Sequence, residues 1–257
     1  MNFTEAEIVG LVSAFIWPFI RISSLFLSAP VFSATAIPAR VRVVFSLALT
    51  IMVMPLLPPL PDIVVFSYEG LVVAIQQLMI GVVSGFILQL CFAAVAFAGQ
   101  SAAYSLGLGF SSQIDPQNGG QVLVVSQFYV TLATLLFFTL DAHLLLLKIL
   151  LDSFKSLPIG VDGIDKSGLW AVVAWASRLF AGGVLMCMPI TISLLLVNIC
   201  FGVATRAAPQ LNIFSVGLPV TIVFGILMVW LTLPDTLDQF SSFLTEAYDL
   251  IGALLRV

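Results

Sequence analysis

The chain has 257 residues, 61% hydrophobic and 9% charged, with a net charge of -4. A soluble domain carries about 25% charged residues, and nine Lys and Arg with 13 Asp and Glu cannot clothe a fold of this length. A water-soluble enzyme, a disordered chain, a disulfide-stapled secreted domain and a nucleic-acid-binding protein are excluded, which leaves an integral membrane protein.

A bilayer core about 30 Å thick needs about 20 apolar residues per helical crossing. Six windows with at most one charge each run at residues 8–28, 41–57, 71–98, 122–140, 169–199 and 213–233. They predict an all-α polytopic membrane protein of about six hydrophobic helical segments. Ala34, Thr35 and Ala36 have the small-x-small form of a cleavage site, but the preceding segment opens with Glu5 and Glu7 and carries Arg21. A cleaved signal would carry positive charge there, so the first window is expected to be retained as a span. The second window ends in Pro55, Pro58, Pro59 and Pro61, which stop a helix.

From Gly70 to Ile114 the sequence has 45 residues without a charge. As continuous helix they would extend about 67 Å, too long for one crossing, so a break is expected. It is predicted over residues 99–121, where Gly99, Gly107, Gly109, Gly119 and Gly120 gather with Ser111, Ser112, Pro116 and Asn118. This loop also holds Leu106, Leu108, Phe110 and Ile114. Irregular backbone with apolar side chains at membrane depth must be buried in protein or line a cavity.

Within the third window, Gly81 and Gly85 form a GxxxG pattern that lets helix backbones approach closely. The sequence leaves open whether the neighbour is this chain or another subunit. Arg21 and Arg178 lie singly inside spans with no acid three or four positions away, and mark interfaces of some kind. Residues 141–166 hold Asp141, Lys148, Asp152, Lys155, Asp162, Asp165 and Lys166 around a Pro158-Ile159-Gly160 turn, and read as a linker. After Pro234 a mildly acidic, amphipathic surface helix is expected. An alternating topology puts Arg40, Arg42 and Arg206 on one side and Lys148, Lys155, Lys166 and Arg256 on the other, so counting positive charges fixes no orientation.

Cys91, Cys187 and Cys200 lie in apolar runs without metal spacing, and His143 is the sole histidine, so no zinc site and no cofactor are expected. Ser111 in Gly109-Phe110-Ser111, with His143 later, has the order of an intramembrane serine protease dyad. The loop setting of the serine argues against that reading. A broken helix over residues 99–120 would also suit a small-solute secondary transporter.

Longer strings are more specific. Trp17-Pro18 with Arg21, Ala29-Pro30, Ile37-Pro38-Ala39-Arg40-Val41, Gln76-Gln77 with Gly81 and Gly85-Phe86, Phe92-Ala93-Ala94-Val95, Asp115-Pro116 and Leu157-Pro158-Ile159-Gly160 run along the chain. They are followed by Arg206-Ala207-Ala208-Pro209-Gln210-Leu211-Asn212-Ile213-Phe214 with Gly217 and Pro219. Together they resemble the FliR/SctT family of type III secretion export-gate proteins over nearly the whole chain. Ala142 before His143 departs from the glycine that many members carry.

The resemblance implies a noncatalytic subunit in a helical, conical export gate with FliP and FliQ copies, beside FlhB. Such a gate passes unfolded flagellar proteins through the bacterial inner membrane at the flagellar basal body. The resemblance further implies a FliP-like part over residues 1–150, the charged linker over 151–168, and a FliQ-like hairpin with its tail over 169–257. It places a pore plug at residues 107–120, with Gly107, Leu108, Gly109, Phe110, Ile114, Asp115, Pro116, Gly119 and Gly120, and Phe110 as the bulky closing residue. Gly81, Gly85, Arg21, Arg178, Arg206 and Pro209 are the expected positions of helix packing or subunit contact. Membrane lipid would share the remaining apolar surface.

Overall fold

The computed structural model describes residues 5–33, 37–58, 63, 65, 67–108, 124–207 and 213–257. Among them the structure is helical, without strands: α1 Glu5–Ser28, α2 Ala39–Val53 with a 3-10 turn Met54–Leu56, α3 Tyr68–Ser105, α4 Val124–Thr139, α5 Ala142–Ser156, α6 Lys166–Ala207 and α7 Ile213–Leu255. This is the all-α polytopic membrane fold that the apolar windows predict. Four helices are long and apolar enough to cross a membrane, and α4 with α5 forms a fifth candidate bent by 61°.

The starts of two helices follow from local chemistry. Ser67 caps α3 by accepting the Gly70 amide at 2.9 Å, and Asp165 caps α6 by accepting the Gly168 amide at 2.8 Å. Pro18, Pro189, Pro219 and Pro234 lie inside helices, where each removes one backbone bond without ending the element.

The long run without charge does break, but later than its glycines suggest. Residues 99–105, expected as loop, continue α3, and the first turn residues are 106–108. The physical reason is packing. A Cβ on Gly99 would lie 2.5 Å from Ser126 Cα, and Ser126 Oγ donates to the Ala96 carbonyl at 2.9 Å, so this glycine brings α4 against α3. Likewise, the charged stretch expected as linker from Asp141 onward contains α5, with Ala142, Leu146, Leu150 and Phe154 buried on one stripe. The tail is not a separate helix, since α7 runs through Pro234. It is amphipathic as expected, with Leu244, Ala247, Tyr248, Ile251 and Leu255 buried at helical spacing.

The chain divides into two compact units. The first comprises Met1–Leu90, Leu140–Ala176 and Leu244–Val257; the second comprises Cys91–Thr139 and Ser177–Phe243. This grouping by contact is a separate matter from likeness to partner proteins on either side of the linker. In the first unit the Phe26 ring meets Phe32 and Phe45 edge-on at 4.6 and 5.2 Å, and the Tyr248 hydroxyl donates to the Ala142 carbonyl at 2.7 Å. In the second, Phe92 packs edge-on against Phe137 and Phe240 at 5.7 and 5.3 Å.

Candidate functional site: a buried arginine clamp and an anchored loop

In the first unit, α1 turns Trp17, Arg21, Ser24 and Leu25 inward at helical spacing. Arg21 is fully buried. Its Nε donates to Gln77 Oε1 on α3 at 2.7 Å, Nη1 to the Ser153 carbonyl and Oγ at 3.1 Å, and Nη2 to the Leu157 carbonyl at 3.0 Å. The Phe154 ring lies 4.3 Å below the guanidinium carbon. The described partners include no carboxylate. Instead, the cation meets carbonyls at the C-terminal end of α5, the negative end of the helix dipole.

Close approach of α1 and α3 makes this clamp possible. A Cβ on Gly81 would lie 2.5 Å from the Arg21 carbonyl oxygen, and one on Gly85 would lie 2.6 Å from the Ala29 nitrogen. Ser28 Oγ donates across the same interface to the Gly81 carbonyl at 3.2 Å. The GxxxG pattern therefore packs helices of this chain together. Beside it, the Gln76 side chain fills the space over Gly163 in the turn that follows α5.

In the second unit, α3 ends on a left-handed residue. Gly107 has φ +79°; its amide donates to the Tyr104 carbonyl at 3.0 Å, and the Leu108 amide to the Ala103 carbonyl at 3.1 Å. That pair of bonds is a Schellman cap, which glycine closes without steric cost. Leu106 is fully buried, touching α7 at Gly225. Gly183 on α6 admits Phe97 in the same manner, since a Cβ there would lie 2.5 Å from Phe97 Cδ1.

The remaining expected positions are scattered. Arg178 is exposed on α6, and Arg206 is exposed in its last turn, where a cation complements the helix dipole. Gly109, Phe110, Ile114, Asp115, Pro116, Gly119, Gly120 and Pro209 lie outside the described residues, as does Ser111. His143 is half-buried at the start of α5. Among the described residues no three His, Cys, Asp or Glu side chains gather as a metal site. Sequence reading missed Ser126, Gly183 and Gly225. A glycine within a helical pattern costs about 1 kcal/mol relative to Ala, and that cost was the available signal at Gly183 and Gly225, while Ser126 carried none.

Fold and site together define a membrane-embedded helical protein whose singular features are packing devices around a broken apolar segment. The chain belongs to the family described as "Bacterial export proteins, family 1", whose profile matches residues 12–247. It is 39% identical over 255 residues to the "Flagellar biosynthetic protein FliR" of Pectobacterium carotovorum subsp. carotovorum, covering 99% of this chain and 97% of that protein. The proteins of the same name from Escherichia coli (strain K12) and Bacillus subtilis (strain 168) are each 31% identical, over 99% and 87% of this chain and 97% and 87% of their own lengths.

Proposed function

We propose that this chain is a core subunit of the flagellar type III protein export gate. It acts with FliP and FliQ copies, next to FlhB, in the bacterial inner membrane at the flagellar basal body. Unfolded flagellar proteins pass through the assembled channel, and the chain itself catalyses no reaction. The family match and the FliR relatives support the export role. The need for partners is supported by the long helices α6 and α7. Their apolar windows are 22% buried within the chain, against 67% for α3, and side chains such as Val223 and Trp230 are about 70% exposed. At ~1.5 Å per residue these helices run about 63 and 65 Å, twice a bilayer's hydrocarbon core. Part of that apolar surface is thus available to protein neighbours as well as lipid.

The resting channel is closed by the loop of residues 107–120, with Phe110 as its bulkiest apolar group. The observation that carries this reading is the anchoring of the loop at both ends, by the Gly107 cap at the end of α3 and by the Gly99–Ser126 contact at the start of α4. An apolar plug closes a narrow pore by excluding water and yields when a chain pushes through. Gates carrying Phe110→Ala, or lacking residues 109–120, should leak ions at rest while still co-purifying with their partners. Resting leakage equal to wild type in both would overturn the plug assignment.

A further inference from the structure

We propose that Trp17, Arg21 and Gln77 form a buried site for one small monovalent anion, of the size and charge of chloride, between α1 and α3. Two donors beside the arginine clamp have no acceptor among the described residues: the Trp17 indole Nε1 and the Gln77 amide Nε2. Both side chains are interior, with Trp17 1% and Gln77 0% exposed, so bulk water does not reach them. Buried polar groups are normally paired, and each exception calls for an explanation such as a bound water or ion. The orientation of the Gln77 amide is fixed by its neighbour. Its Oε1 receives Arg21 Nε at 2.7 Å, and turning the amide over would set donor against donor, so Nε2 is left with two hydrogens unmet.

The unmet donors surround one cation. Ser24 lies at Gly81 and Ser28 at Gly85. Carrying that register back one turn puts Gln77 level with the stretch of α1 between Trp17 and Arg21, which share a face. Charge and donor count then select the ligand. The guanidinium is fully buried, with neutral oxygens and the Phe154 ring as its described partners, and a buried charge without a counter-charge is costly. A water molecule would accept from the indole and the amide, but it brings two hydrogens of its own and no charge. A halide accepts from the indole N–H and both amide hydrogens, brings none, and neutralises the arginine. Because the ion binds the folded chain, stability is linked to its concentration. This inference is independent of the export role.

The experiment measures thermal melting of the full chain in detergent at constant ionic strength, with chloride exchanged for the bulky anion gluconate. The melting temperature should climb with chloride or bromide as for one binding site and stay flat in gluconate. Trp17→Phe removes one donor and keeps an aromatic ring. It should raise the chloride concentration needed about tenfold, since one hydrogen bond to a charged group is lost. Gln77→Glu sets a carboxylate against Arg21, supplying the charge that the anion would bring, so it should melt above wild type in gluconate and show no chloride dependence. A wild-type melting temperature indifferent to chloride would overturn the site and leave water as the partner of the two donors. Chloride dependence surviving in Gln77→Glu would place the ion elsewhere and overturn it as well, as would a Trp17→Phe midpoint equal to wild type. Should either variant fail to fold, equilibrium binding of radiolabelled chloride to the wild-type chain decides. One ion per chain, displaced by bromide and not by gluconate, is expected, and none bound overturns the proposal.

Discussion

Arg21 Nε donates to Gln77 Oε1 at 2.7 Å, and both residues are fully buried. This bond joins α1 to α3, and the guanidinium's other donors join both to the end of α5. A buried guanidinium is costly unless its donors are met. Here they are met by neutral oxygens alone among the described residues, two of them backbone carbonyls at the C-terminal end of α5, of which that of Ser153 also accepts the Leu157 amide at 2.9 Å. The negative end of the α5 dipole thus supplies acceptors that a buried cation requires.

Hydrogen bonds to charged groups are worth about 1.5–3 kcal/mol each, so Gln77→Leu, which strips one acceptor from a buried cation, should destabilise the protein by about that amount. Arg21→Lys should be no milder, because one ammonium nitrogen cannot reach all the acceptors that the guanidinium meets with three separate nitrogens. The pair Arg21→Met with Gln77→Leu should cost less than the sum of the two single changes, since no buried charge remains to be left unpaired. Thermal melting of the detergent-purified protein measures all three. An Arg21→Lys variant melting with wild type would show that the clamp does not stabilise the fold.

The α1–α3 approach is equally exposed to test. Gly81→Ala places a methyl 2.5 Å from the Arg21 carbonyl oxygen and 2.8 Å from the Leu25 nitrogen. Both are backbone atoms that cannot swing aside, so the helices must separate. A loss of about 1–3 kcal/mol is expected, as for other overpacked interiors. Gly10→Ala, on α1 with nothing within 4 Å of the added carbon, should be neutral or stabilising. The same melting experiment decides, and equal effects at the two glycines would contradict the packing account.

The helical class was legible because long runs that are apolar all round have few ways to satisfy their backbone in a membrane. Each apolar window falls on a helix, and the amphipathic tail shows its stripe. Gly99 misled because glycine and serine signal turns in water and close helix packing in a membrane. Which applies depends on whether another helix arrives, and Ser126 lies beyond the loop. α5 is hard to read from sequence because its charges, Lys148, Asp152 and Lys155, break up the four-residue spacing of Leu146, Leu150 and Phe154. Arg21 stood out as a lone intramembrane charge, but its acceptors are 56, 132 and 136 positions away, and only the fold brings them within reach.

Acid should loosen the start of α6. Hydrogen bonds from the Ser167 hydroxyl and then from the Gly168 amide hold the Asp165 carboxyl below the usual carboxylate range. A depressed folded pKa means that the capping contribution is fully present above the unfolded value, about 4, and is lost as pH falls through the folded one. Exchange of the Gly168 amide, corrected for its intrinsic pH dependence, should therefore be protected at neutral pH and lose protection on acidification. Asp165→Ala should remove that protection at neutral pH as well. Protection independent of both pH and this side chain would rule out the cap.

Two helices end in the same geometry with different residues. α3 closes on Gly107, and α7 closes on Arg256, whose amide donates to the Ala253 carbonyl at 3.4 Å while the Val257 amide donates to the Gly252 carbonyl at 3.0 Å. Arg256 has φ 58°, a left-handed backbone that burdens any side chain bearing a Cβ. The left-handed conformation costs an L residue about 1–2 kcal/mol, so Gly107→Ala should destabilise by at least that much, with Leu218 adding to the strain. Arg256→Gly should have the opposite sign and stabilise by about 1 kcal/mol. The substitution also removes an attraction to Asp165, but exposed charge pairs contribute little and are screened by salt. Melting temperatures of the two variants in moderate salt should therefore move in opposite directions. A fall in both would mean that the Arg256 side chain holds the C-terminal turn through contacts that outweigh its backbone strain.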